Sequence, residues 1–172
     1  AAPGSAQPNL AVGPDGAVYL SWIEPAGSSE HSLRYAVRRD GVWNMPATIA
    51  RGMDWFVNWA DFPSLAVTAD GALVAHWLVR SGPGTYAYDV HLARSTDGGT
   101  TWSEAVVPHR DGTETEHGFV SLLPTPDGDV LVLWLDGREY DGTEHDGEMT
   151  LRAARFGAGG VGDEVLLDAR TY

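Results

Sequence analysis

Ser95-Thr96-Asp97-Gly98-Gly99-Thr100-Thr101-Trp102 is the stretch from which the fold can be read. The Asp97 carboxylate is placed to accept hydrogen bonds from the backbone of its own turn. Gly98 and Gly99 tolerate the positive φ that a tight turn demands, and Trp102 can fold back over the hairpin as a plug. The stretch is therefore expected to be a structural clasp between two strands, contributing stability and no chemistry.

Working outward from it, the chain is a threefold repeat. Pro8 to Gly16, Pro63 to Gly71 and Val120 to Gly128 align without gaps, and their Asp-Gly pairs lie 55 and 57 residues apart. Each pair is followed by an apolar run ending in Trp: Val18 to Trp22, Leu73 to Trp77 and Val130 to Trp134. Each unit reads as strand, Asp-Gly hairpin, strand, longer loop, strand, hairpin, strand, with no helical period. The third strands are expected at Leu33 to Arg38, Val90 to Ser95 and Thr150 to Arg155, the fourth at Ala47 to Ala50, Ala105 to Val107 and Glu164 to Leu167. The second strand of each unit is apolar nearly throughout, which predicts cover on both faces. Radially stacked sheets provide such cover; a two-sheet sandwich is the alternative.

With the form Ser-x-Asp-x-Gly-x-Thr-Trp, the 95–102 turn resembles the Asp box of the sialidase-like β-propellers, with Ser95, Asp97, Gly99, Thr101 and Trp102 as its residues. The resemblance implies an all-β chain of three four-stranded antiparallel blades, at about 8–52, 53–109 and 117–170, in a single domain over 1–172. That is half of the family's six-bladed ring, completed by a second copy of the chain or by further blades. It also implies that the box lies on the face away from the active site. Unit one keeps a shortened box, Asp40-Gly41-Val42-Trp43, and unit three has only Gly157-Ala158-Gly159-Gly160. The implied activity is that of an exo-α-sialidase-like glycoside hydrolase; the alternative is a non-catalytic module that binds glycan or protein. The family's Phe-Arg-Ile-Pro motif is absent from the chain, which favours the module.

Composition limits the rest. The formal charge of −13 repels a phosphate backbone, so nucleic acid is not an expected partner. With no cysteine there is no disulfide framework, no thiolate nucleophile and no Cys metal site. No stretch reaches the roughly 18 apolar residues that cross a bilayer. The small residues from Ala1 to Gln7 resemble the region after a cleaved export signal, which predicts a secreted or periplasmic protein.

The loops opposite the 95–102 turn hold the candidate chemistry. An acid and a base or nucleophile must flank a glycosidic bond, and an anionic sugar needs the planar fork of Arg. Asp61 and Glu116 are the candidate acid/base residues, and Tyr140, beside Glu139, is the candidate nucleophile. Trp55, Asn58, Arg80, His117 and Arg138 are the candidate substrate-binding residues. Trp55 and Trp59 divide evenly between core packing and sugar stacking. No cofactor or metal is expected: the acidic run Asp141 to Glu148 misses the EF-hand spacing, and the six His show no pairing at metal-ligand spacing. His76, in the second strand of unit two, is expected to be an interior His. In a half ring, Val18, Leu20, Trp22, Val130, Val132 and Trp134 are expected on bare outer faces, which predicts pairing of two copies.

Overall fold

The structure, a computed structural model, describes residues 1–140 and 148–171. It consists of three antiparallel sheets, one per repeat, none closed into a barrel. Sheet one contains β1 (Ala6–Val12), β2 (Val18–Pro25), β3 (Glu30–Arg39), β4 (Val42–Trp43) and β5 (Ala47–Met53), with β4 and β5 both paired to β3. Sheet two contains β6 (Ser64–Val67), β7 (Leu73–Arg80) and β8 (Tyr88–Ser95). Sheet three contains β9 (His117–Pro124), β10 (Val130–Asp136), β11 (Thr150–Gly157), β12 (Gly160–Val161) and β13 (Val165–Asp168). The expected fourth strands of units one and three are thus present as β5 and β13. In unit two the expected strand over Ala105–Val107 shrinks to one bridge, in which Val106 and Leu92 exchange N–H···O bonds of 2.8 and 2.9 Å. Pro108, without an N–H to offer, cannot extend it.

The sheets share two cores, and β7 supplies both. Leu73, Ala75 and Trp77 point one way, into a core built with Tyr19, Ile23, Leu33 and Tyr35 of sheet one. Val74 and Leu78 point the other way, into a core with Val130, Val132, Trp134, Ala154 and Phe156 of sheet three. Every residue from Leu73 to Leu78 is buried, as a strand covered on both faces requires. By contrast, β10 alternates buried and half-buried residues, because sheet three has sheet two on one side only.

That asymmetry overturns the expected bare face of unit three. Val130, Val132 and Trp134 are fully buried between sheets two and three, Trp22 is buried, and Val18 and Leu20 are half-buried. Among the large apolar residues left exposed on strands are Leu10 and Val12 on β1, Val42 and Trp43 on β4, Leu123 on β9, and Val165 to Leu167 on β13. In sheet three the strand period of two put the correct residues together and the opposite face outward; in sheet one Leu20 and Trp22 do lie on the face away from the shared core, where they line a groove with Trp43 and Pro46.

A repeated ion pair marks the threefold pattern in the structure. Each Asp-Gly turn has its Asp met by an Arg from the third strand of the same unit: Asp15 by Arg39, Asp70 by Arg94 and Asp127 by Arg155. All three Asp are well exposed, so these pairs mark register more than they add stability.

The 95–102 turn is a clasp, and it also docks onto sheet one. Asp97 accepts from Ser95 Oγ at 2.8 Å, from Thr101 N at 2.9 Å and from Thr101 Oγ1 at 2.7 Å, and these bonds hold its carboxyl down near 2. Tyr35 of sheet one donates its OH to Gly98 O at 3.1 Å, and its ring meets Trp102 edge-on. Gly98 and Gly99 both have positive φ, 71° and 85°. A Cβ at Gly98 would meet nothing, whereas at Gly99 it would fall 1.8 Å from the Tyr35 oxygen. Gly98→Ala is therefore expected to cost only the left-handed strain, about 1–2 kcal/mol. Gly99→Ala adds a steric clash and is expected to cost at least about twice as much, measured as the difference between the two denaturation midpoints. Equal costs would show that Tyr35 does not seat on this turn.

Candidate functional site

Strand direction fixes which loops meet. The 95–102 turn follows β8, while Tyr88 begins it; seven residues at about 3.3 Å each separate the two ends by roughly 23 Å. Around the Tyr88 end gather the Asp54–Pro63 loop, the Arg80–Ala87 loop and the His109–Glu116 loop, each entering or leaving a strand at that end.

Their meeting point is Tyr88. Its ring stacks on Phe56 at 3.9 Å, and its OH lies 2.8 Å from Glu116 Oε1 and 3.1 Å from Asp61 Oδ2. Phe119 N donates to Asp61 Oδ2 at 2.9 Å. A Cβ at Gly118 would fall 2.0 Å from Asp61 Oδ2 and 2.8 Å from the Tyr88 ring, so only Gly lets the chain pass so close. Burial is the main cause that pushes Asp61 up to about 6, with the Glu116 charge adding to it against the bonds from Phe119 and Tyr88. Tyr88 is raised too, by burial first and then by the two carboxylates. One phenolic proton cannot serve two carboxylates. With it given to Glu116, the contact to Asp61 is satisfied when Asp61 carries a proton and donates it to the Tyr88 oxygen.

The other sequence candidates divide. Arg80 is exposed at the rim, its guanidinium 5.4 Å over the Phe56 ring, and Tyr86, also exposed, meets the same ring edge-on. Trp55 is a core residue, stacked on Trp77 at 5.8 Å and on His31 at 6.4 Å, so it offers no face to a ligand. Trp59 is 89% exposed. Asn58 is a tether: its carbonyl accepts from Gln7 Nε2 and its side chain from Ala60 N. Tyr140 is half exposed, and its side chain makes no hydrogen bond with the described residues. The oxygen held by two carboxylates belongs to Tyr88, which sequence reasoning missed. The available signal was its position opposite Arg80, at the start of a strand that begins among these loops. The acidic run Asp141 to Glu148 lies outside the described residues except for Glu148, which is exposed and 3.3 Å from Arg170.

Arg138 is not available to a ligand carboxylate. It grips Asp136 in a bidentate pair, Nε to Oδ1 at 2.7 Å and Nη2 to Oδ2 at 2.6 Å, and reaches Glu164 at 2.8 Å and Asp111 at 3.3 Å. Burial works to raise Asp136, but the bonds from Arg138 and from Trp134 Nε1, at 2.8 Å, outweigh it and keep Asp136 low. His117, fully buried, lies against the same group and against His109, the two imidazoles stacked 3.7 Å apart. Burial and the neighbouring ring lower His109. For His117 the opposing pull of Asp89, Asp136 and Asp111 outweighs burial and raises it. His76 is interior as expected: Ser64 N donates to its Nδ1 at 3.2 Å, its Nε2 finds no partner among the described residues, and burial pushes it down to about 3.

No protein-family model matches the chain, and no curated protein matches it. Among solved structures, the crystal structure of polysaccharide lyase Uly1 overlays with a TM-score of 0.57 and 14% identity over 92% of this chain. The chain covers 40% of the length of that lyase chain. At this identity the likeness is one of fold.

The buried Asp61 makes stability depend on pH. Because its folded pKa is raised, the folded state holds this proton more tightly than the unfolded chain does. The stabilisation is whole below about 3.8 and is lost as pH rises to about 6. Asp61→Asn, with its amide oxygen placed to accept from Phe119 N, removes the charge. It is expected to flatten that loss and to leave the protein more stable at pH 7, by on the order of 2 kcal/mol in denaturant titrations at pH 4 and 7. An unchanged pH slope would assign the dependence to other groups.

Proposed function

We propose that the chain is part of a propeller-like carbohydrate-active protein, its three sheets the blades, with the Asp61–Tyr88–Glu116 cluster handling protons at a glycosidic bond. Hydrolysis and elimination make the same demand there: one group gives a proton to the departing oxygen, another takes a proton on the other side. The observation that carries the proposal is the convergence of Asp61 and Glu116, from separate loops, on one Tyr oxygen. With the Tyr88 oxygen 2.8 Å from Glu116 Oε1 and 3.1 Å from Asp61 Oδ2, the two contacting oxygens can be no more than about 6 Å apart, so both carboxyl groups reach one small site. Asp61, held protonated to about 6, takes the part of the acid. Glu116, half-buried, takes the part of the base, acting through Tyr88.

The rim fits a sugar. Exposed Tyr86 offers a ring face, and Arg80, exposed and bound to no carboxylate among the described residues, offers a fork to an acidic sugar. The fold likeness to a polysaccharide lyase adds support, and the Asp-box resemblance points to sialidase-type glycans among the candidates. Exposed Leu10 and Val12 of β1 and Leu123 of β9 lie on the strands that flank β6, and further blades, from a second copy or from more chain, are the occupants this proposal gives them. A binding module without turnover is the second reading, favoured by the near-complete burial of Asp61 and Tyr88.

The test is a glycan panel containing sialosides and uronate polymers, followed by reducing-end release and by ultraviolet absorbance of a new C=C bond. Turnover is expected to fall about tenfold per pH unit above 6, as Asp61 loses its proton, and to drop at least about a hundredfold in Asp61→Asn and Glu116→Gln. Binding without turnover in the wild type selects the module. Neither binding nor turnover would end the carbohydrate reading.

A further inference from the structure

The stacked His109 and His117 stand between two carboxylates, and the four ring nitrogens are divided between them. On one side His109 Nδ1 and His117 Nε2 face Asp111, at 3.2 and 3.3 Å. On the other, His109 Nε2 and His117 Nδ1 face Asp89 Oδ1, at 3.8 and 3.4 Å, with the Tyr88 carbonyl 3.3 Å from His117 Nδ1. His109 is 6% exposed and His117 0% exposed, yet His109 Nε2, His117 Nε2 and Asp89 Oδ1 all lack a hydrogen-bond partner among the described residues. Three orphaned polar atoms in one buried cluster would be costly if nothing came to satisfy them.

Charge bookkeeping points the same way. Leaving aside Glu139, which meets Arg152 from the exposed side, Asp89, Asp111, Asp136 and Glu164 bring four negative charges to this cluster, and Arg138 and Arg152 bring two positive ones. Two positive charges are missing. Protonating both imidazoles would supply them, but would set two cations face to face at 3.7 Å in a buried site. A single divalent cation supplies both without that repulsion.

We propose that Asp89, His109 and His117 form a binding site for a divalent first-row transition cation of the zinc class. Their ligand atoms lie within 4.8 Å of one another. Ligands about 2.0–2.2 Å from one zinc stand up to about 4.4 Å apart, and the two stacked rings must tilt out of their parallel arrangement to aim both lone pairs at one ion. Asp111 completes the pattern from behind. It faces His109 Nδ1 at 3.2 Å, and by accepting from that N–H it fixes the tautomer and leaves the His109 Nε2 lone pair turned toward Asp89; for His117 to ligate through Nδ1, its proton must leave the Tyr88 carbonyl and move to Nε2, which faces Asp111 at 3.3 Å. The ligand set of two imidazoles and a carboxylate matches zinc and its neighbours rather than calcium or magnesium. Asp89 and His109 also line a cleft of about 350 Å³, so a fourth position is open to water or a ligand. The alternative trio of Asp111, His117 and Asp136 is less suited, since Arg138 already neutralises both of its carboxylates.

The site does not depend on the glycan proposal: a protein inert toward every sugar could still bind the ion. The experiment uses the full chain, stripped with a chelator and titrated with ZnCl2 by calorimetry and with CoCl2 by visible absorption. One equivalent per chain is expected, with micromolar or tighter affinity and a Zn2+-dependent rise in melting temperature. Asp89→Asn and His109→Gln, at the cleft, are each expected to weaken binding at least about tenfold and to abolish the rise. Glu114→Gln, on the same cleft, is expected to leave both unchanged. His117→Gln, fully buried, risks the fold, so the test relies on the two cleft variants, with circular dichroism confirming that each is folded. A folded wild type showing no heat and no Co2+ spectrum would overturn the proposal. So would stoichiometric binding that survives unchanged in both variants, because the ion would then sit elsewhere.

Discussion

The structure depends on one strand with two buried faces. Along β7, alternate side chains feed two different cores, Leu73, Ala75 and Trp77 into one and Val74 and Leu78 into the other. A sheet of only three strands can stand in the middle because both of its neighbours exclude water from it. His76 shows the cost of such a place: it is wholly buried, and its charged form is suppressed to about pH 3. Sheets one and three each have one covered face, and their exposed apolar residues are found on what is left.

The same stacking divides the molecule into two ends of different character. At the 95–102 end, the carboxylate is solvated and closely bound by its own turn, which pins Asp97 low. At the Tyr88 end, carboxylates arrive from loops of two units and are buried, which drives Asp61 up. Two Asp residues of one chain thus differ by about four pH units in proton affinity, through burial against local hydrogen bonding. The end rich in long loops collects ionisable side chains whose partners are far away in sequence. At the hairpin end Asp97 finds its partners two to four residues away, within its own turn.

Burying charge is tolerated here by pairing. Asp136, fully buried, is held by a bidentate Arg138 and by Trp134 Nε1, and the equivalent Trp22 of unit one donates in the same way to Glu24, at 2.8 Å. The repeat thus provided a Trp-to-acid bond two residues along in units one and three. Unit three elaborated it into a buried network by adding Arg138, Arg152 and Glu164. Arg138 looked from the sequence like a ligand for an acidic sugar, and it is consumed by that network.

The amino-acid sequence determined what acts over a few residues. Asp-Gly pairs at matched spacing set three hairpins, apolar runs set the central strands, and the 95–102 turn closed on its own Asp97, because turn chemistry and the period of two need no distant partner. It also brought Asp61 and Glu116 to one end of the strands, since their loops share an orientation in every unit. Only the tertiary structure decided which face of β10 is covered and that Tyr88, not Tyr140, joins the two carboxylates. It alone turned Trp55 inward and stacked His109 on His117. Each of these rests on the angle at which one sheet lies against the next, and that angle is set by the packing of side chains dozens of residues apart, which no local pattern encodes.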